Sequence, residues 1–117
     1  MTSLTAPTVK VPRKRPSAAD DAACYRYVTT RDKTCRAPTI DPAMTFAASL
    51  CEGHNERHHA GNTIGSKRIT DARHVCLLCA YHHRTWAPTH SRMILEWLAR
   101  VEDARERARH DVEEAQR

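Results

Sequence analysis

The chain has 117 residues, 19 basic and 14 acidic side chains, a net charge of +5, five cysteines, eight histidines and only six aromatic residues. That length holds one small domain plus tails. With 40% hydrophobic residues the core is thin, which argues against a large-pocket metabolic enzyme and for a metal or another staple. No apolar run approaches the roughly 18 residues of a membrane span, and residues 1–10 carry no signal-peptide stretch. The expectation is therefore a cytoplasmic, non-secreted protein in a reducing compartment, with free or metal-bound thiols and no membrane partner.

Residues 1–17 read as a flexible basic arm. Pro7, Pro12 and Pro16 forbid a regular helix, and Lys10, Arg13, Lys14 and Arg15 supply most of the net charge. Such an arm suits a polyanion, though short basic termini also occur as solvated tails. From Ala18 to about Asp32 the spacing of Ala22, Ala23, Tyr27 and Val28 predicts a helix, with Asp20 and Asp21 complementing its N-terminal dipole. An irregular loop follows over Thr34–Thr45, punctuated by Pro38 and Pro42, and Phe46–Leu50 is a short apolar run leading into Cys51.

Residues 54–78 read as a hairpin, with Gly61 and Gly65 bracketing a turn-rich Asn62-Thr63-Ile64 and a strand over Val75-Cys76-Leu77-Leu78. Cys79–Trp86 forms a short helix stopped ahead of Pro88. Ser91 caps a last helix whose Met93, Ile94, Trp97, Leu98 and Val101 make an apolar stripe. Beyond Glu102 that helix is mostly charged and is expected to protrude or fray. The domain organisation expected is an arm over 1–17, a folded domain over 18–101 and a charged extension over 102–117. Trp86 and Trp97 are core residues on this reading.

The histidines are concentrated: seven of the eight (His54, His58, His59, His74, His82, His83, His90) fall between positions 54 and 90, with Cys51, Cys76 and Cys79 in or beside that window. Imidazoles and thiols together suit a borderline-soft cation such as Zn²⁺. Cys79 and His82 form a C-x-x-H pair at a helix start. Cys51-x-x-His54 is a second pair by local spacing, and Cys76-x-x-Cys79 a third, although Cys76 also fits a buried thiol in an apolar strand. Cys24 reads as a packed thiol in the first helix.

Three segments carry the pattern: Glu56-Arg57-His58-His59, then Arg73-His74-Val75, then Leu78-Cys79-Ala80-Tyr81-His82-His83. In this order they resemble the HNH endonuclease family, whose fold is a two-stranded hairpin and a helix clasped around one divalent cation. Arg31-Asp32-Lys33-Thr34-Cys35-Arg36-Ala37-Pro38 and Thr89-His90-Ser91-Arg92 are similar to segments of its small, often phage-encoded members. The resemblance spans residues 24–99. It implies a small α+β fold: a ββα-metal (His-Me finger) core, flanking N- and C-terminal helices and a structural zinc knuckle.

The same resemblance implies roles. His59 is the general base, His58 and His83 are ligands of a catalytic cation, His90 is a candidate third ligand, and His74 takes the middle position, bracing the hairpin or orienting the base. Adjacent strand residues point to opposite sides, so His58 and His59 need a twisted or irregular strand end to serve one site. For the structural zinc the resemblance favours Cys35, Cys51, Cys79 and His82, with His54 in place of Cys35 as the alternative. Arg57, Lys67, Arg68, Arg73 and Arg84 surround the motif and could contact phosphates, although each is also an ordinary solvated side chain.

His58 stands where the family often has Asp, His74 where Asn is usual, and His82 where a second knuckle cysteine often lies. A mostly imidazole site favours Zn²⁺, Ni²⁺ or Mn²⁺ over Mg²⁺. The function implied is hydrolysis of DNA phosphodiester bonds to 5′-phosphate and 3′-hydroxyl ends, with DNA as the partner. The alternative is a catalytically inactive zinc-dependent nucleic-acid-binding module. An ordinary C2H2 finger fails on spacing, because no close cysteine pair is followed by about 12 residues and an H-x₃₋₅-H pair.

Overall fold

A computed structural model of the chain describes residues 17–61 and 70–117. The basic arm over 1–16, the turn residues 62–65, and Lys67 and Arg68 lie outside the described residues. The order of elements is α1 (Ala18–Asp32), α2 (Ala37–Ile40), α3 (Phe46–Ser49), β1 (Asn55–His59), β2 (Val75–Cys79), α4 (Ala80–Thr85), a 3₁₀ turn (Ala87–Thr89) and α5 (Ser91–Ala115). This is a small mixed fold of helices around one antiparallel pair of strands.

Helix α1 starts as its acidic first turn suggests. Ser17 caps it with a hydroxyl accepting from the Asp20 amide at 3.1 Å, while the Asp20 carboxylate accepts from the Ser17 amide, a reciprocal box that satisfies two end donors. The stretch expected to be irregular, Thr34–Thr45, contains the helical turn α2, with Pro38 early in it where the missing N–H costs nothing. Phe46–Leu50 forms one helical turn rather than core: Phe46 and Leu50 are exposed, and Thr45 caps the turn.

The strands pair in the register His59↔Val75, His58↔Cys76, Arg57↔Leu77 and Glu56↔Leu78. All five residues of β2 are buried, because both of its faces are covered. Val75 and Leu77 pack with Val28 of α1, while Cys76 and Leu78 pack with Cys35, Trp86, Ile94 and Leu98. This is the period-two alternation of a strand between two layers. Cross-strand partners share a face, so the register assigns Arg57 and His59 to the α1 side of the sheet and Glu56 and His58 to the opposite side.

The outer edge of β2 is occupied by side chains and loop backbone instead of a third strand. Arg31 donates to the Val75 carbonyl at 2.7 Å, the Leu77 amide donates to Asp32 at 3.0 Å, and the Arg36 amide donates to the Leu77 carbonyl at 3.0 Å.

Helix α5 differs from expectation at its start. His90, not Ser91, occupies the cap position, and it makes no side-chain cap bond, because its ring is turned back onto Trp86. Ile94 and Leu98 are fully buried, and Trp97 packs against the core, whereas Met93 is exposed. The charged part runs as unbroken helix to Ala115 and is tethered at its start. Glu102 accepts from Tyr27 at 2.7 Å and Arg31 at 3.1 Å, and Arg73 reaches Asp103 at 2.7 Å and Glu106 at 3.1 Å.

Candidate functional site

Four chain segments converge beside the start of α4. Cys35 follows α1, Cys51 follows α3, Cys79 ends β2 and caps α4, and His82 lies one turn into that helix. Their ligand atoms all lie within 4.8 Å of one another, and the group could hold a metal ion. The Nδ1 atom of His82 is 3.1 Å from Cys79 Sγ, 3.5 Å from Cys35 Sγ and 3.8 Å from Cys51 Sγ. Tetrahedral Zn²⁺ with bonds of about 2.3 Å to sulfur and about 2.0 Å to nitrogen holds its ligands roughly 3.5–3.8 Å apart, so the donor set and its spacing suit zinc.

The His82 ring is oriented from its other side. Its Nε2 donates to the Ala48 carbonyl at 2.7 Å, which leaves Nδ1 as the lone-pair atom facing the sulfurs. This is what the short turn α3 contributes, and it explains why an apolar-looking run lies outside the core. Gly53 closes the connection to β1. With φ at +85° and an added Cβ only 2.8 Å from Ala80 Cβ, the position admits no side chain.

The thiols differ in acidity. Burial pushes Cys35 up, and it pushes Cys51 to about 12 with the neighbouring Cys35 sulfur adding. At Cys79 burial also pushes up, but the backbone N–H groups of His82 and Glu52 and the His82 ring outweigh it, holding the thiol at about 7. Cys79 is thus the sulfur most readily available as thiolate at neutral pH. His54, the alternative fourth ligand, is outside the group. Its side chain is 79% exposed and its Nε2 lies 3.2 Å from a Glu56 carboxylate oxygen. Cys76 is fully buried in the core and outside the group, and Cys24 is half-buried against Val28, Val75 and Leu77.

On the face of β1 that carries His58, the Nδ1 atoms of His58 and His83 lie 3.2 Å apart with their rings edge to face. Burial, reinforced by the nearby His83 and His59 rings, pushes the His58 imidazole down to about 4, so it is neutral at physiological pH. Its Nε2 is buried with no hydrogen-bond partner among the described residues. Two nitrogens each about 2.1 Å from one cation, at 90–110° to each other, stand about 3.0–3.4 Å apart, so the pair has the bite of two ligands on one ion. His90 is not brought to this pair. Its ring stacks on Trp86 at 4.8 Å, and its Nδ1 donates to the Trp86 carbonyl at 2.7 Å.

His59 lies on the other side of the strand. Its Nε2 is 3.0 Å from the Tyr25 hydroxyl on α1. The strand end therefore does not bring His58 and His59 onto one side, although His59 remains close enough to act electrostatically on His58. His74 is held by Asp71, whose carboxylate lies 2.6 Å from its Nδ1, at the base of β2. Among the arginines expected around the motif, Arg57 lies over the Tyr25 ring, Arg84 is exposed near Glu56, and Arg73 is engaged by the two α5 carboxylates. Tyr25 carries no local signal of its role, since its partner lies 34 positions along the chain.

Comparison with models of known protein families, with curated proteins and with solved structures finds no match to this chain. No helix among the described residues is long and apolar enough to cross a membrane.

Proposed function

We propose that the chain is a metal-dependent endonuclease of the HNH type that hydrolyses DNA phosphodiester bonds, built on a ββα-metal core with Cys35, Cys51, Cys79 and His82 binding a structural zinc. The single observation that carries the reading is the 3.2 Å approach of two imidazoles, His58 from β1 and His83 from α4. Imidazole ligates only when unprotonated, and burial keeps His58 in that form.

A divalent cation bound there supplies charge neutralisation at the scissile phosphate and the leaving oxygen. His59, the next residue of β1 and on its other face, takes a proton from the attacking water, so the scissile phosphate would lie across the end of the strand between the two faces. Arg57 from β1 and Arg84 from α4 would meet neighbouring phosphates on either side of the strand. His74, pinned by Asp71, braces the base of the hairpin. Zn²⁺, Ni²⁺ and Mn²⁺ suit this imidazole pair better than Mg²⁺.

A second reading has its own support. Among the described residues the Cys35, Cys51, Cys79 and His82 group is the one set of three or more ligands able to hold an ion, which fits a zinc-dependent nucleic-acid-binding module without cleavage. Plasmid nicking with each divalent metal in turn separates the two. Cutting that falls at least about a hundredfold in His59→Ala and His83→Ala, with folding and zinc content retained, supports the enzyme. Binding of DNA without cutting under any metal leaves the second reading alone.

A further inference from the structure

We propose that Tyr25 is a positioning residue for His59, fixing the orientation of its imidazole and which ring nitrogen carries the proton. The inference rests on the nuclease reading for its consequence in catalysis but not for its geometry.

Helix α1 crosses the side of the sheet that carries Val75 and Leu77, held there by Val28. Tyr25 lies one turn earlier on α1, over the end of β1. Register puts Arg57 and His59 on this same face, two residues apart, and Tyr25 meets both. The Arg57 guanidinium carbon stands 4.2 Å from the ring centroid, and the His59 ring meets the phenol edge to face at 5.9 Å and 87°. The hydroxyl then lies 3.0 Å from His59 Nε2. The phenol ring is thus fixed by the helix on one side and by a cation on its face, and its oxygen is aimed at one nitrogen of the imidazole.

A neutral imidazole carries one donor and one acceptor nitrogen, and the hydrogen bond made by one sets what the other can do. An imidazole that must accept a proton from water needs a defined ring plane and a defined tautomer. In the proposed arrangement the Tyr25 hydroxyl oxygen accepts from Nε2–H, which holds the ring plane and keeps the proton on that nitrogen. This is the part that a carboxylate or backbone carbonyl plays behind many functional histidines, where its removal costs about ten- to a hundredfold.

Tyr25 also lines a hollow of about 630 Å³ with Ala22, Arg26, Thr29 and Arg57, so a direct contact with substrate is the competing role. The two roles separate kinetically: a positioning residue acts on kcat, a uniform substrate contact on KM.

The test is Tyr25→Phe in the full zinc-loaded chain. This change keeps the ring under Arg57 and removes one oxygen. The ring nitrogens of His59 are observed by ¹⁵N NMR without substrate, and cleavage is measured separately. The expected result is one dominant His59 tautomer in the parent chain, a changed tautomer distribution in the variant, and a kcat lowered about ten- to a hundredfold with KM unchanged within about twofold. An unaltered His59 spectrum overturns the proposal, as does a raised KM with kcat preserved. Should the parent chain cut no DNA, the nuclease reading falls while the ring spectra alone still decide the role of Tyr25. Unchanged zinc content and helicity in the variant certify that both were read on a folded protein.

Discussion

Arg31 grips Asp32, the residue that follows it, through two parallel bonds: Nε to Oδ1 at 2.7 Å and Nη2 to Oδ2 at 3.1 Å. Both side chains are almost completely buried. The remaining guanidinium donors reach the carbonyls of Ala72 and Val75 and the carboxylate of Glu102, and the Asp32 carboxylate accepts the Leu77 amide. One dipeptide thereby ties α1 to β2, to the segment before it and to α5.

Breaking one half of this pair leaves a buried charge with too few partners. Arg31→Met and Asp32→Asn are each expected to destabilise the fold by about 3–5 kcal/mol, measured by urea unfolding of the zinc-loaded protein. The double variant should cost less than the two single losses added together, because neither member of the Arg31–Asp32 pair is left charged without the other.

Zinc analysis of the purified chain should give one tightly held ion at the cysteine group. Cys35→Ser is expected to lose most of it and Cys51→Ser likewise, whereas His54→Ala retains it. Because such a metal contributes directly to folding, chelation should unfold the domain cooperatively, read by far-UV circular dichroism with and without chelator.

Gly53→Ala tests the loop between Cys51 and β1. A Cβ there meets Ala80 Cβ at 2.8 Å while the backbone holds a positive φ, so both contact and conformation oppose it. A loss of about 1–3 kcal/mol is expected, with weaker zinc retention, because the displaced residue is the first of the helix carrying His82.

His58 gives a pH signature. Burial, with His83 and His59 adding, lowers its folded pKa to about 4 from an ordinary value of 6.5. Between those values the unfolded chain binds a proton that the folded chain refuses, so this contribution is fully favourable above pH 6.5 and is lost as pH falls toward 4. The stability difference between the parent chain and His58→Phe should therefore shift toward the variant over that window. The His58 ring resonances should titrate near the lower value in protein free of the second cation.

Local signals made much of the fold legible. The acidic first turn of α1, the apolar run of β2 and the Pro88 stop after α4 each depend on near neighbours, and the elements lie where those signals put them. The cysteine group was legible through the resemblance rather than through spacing, since Cys35 and Cys51 come from separate segments. What stayed hidden depends on distant partners. Phe46–Leu50 reads only as a short apolar run until Ala48 is seen holding His82. Tyr25 meets His59, 34 residues on, and Arg31, besides its neighbour Asp32, reaches Glu102, 71 residues on. The division of His58 and His59 between two faces follows from strand alternation, but which helix covers each face is a tertiary fact.

The bonds along the outer edge of β2 carry a consequence for crowding between molecules. A bare strand edge invites pairing with a neighbouring chain and, eventually, fibrils. Here the outward carbonyl of Val75 and both outward groups of Leu77 are already spoken for by Arg31, Asp32 and Arg36. The most apolar stretch of this thin-cored molecule is thereby sealed against templated self-association, and loosening the Arg31–Asp32 clasp would expose an aggregation seed as well as weaken the fold.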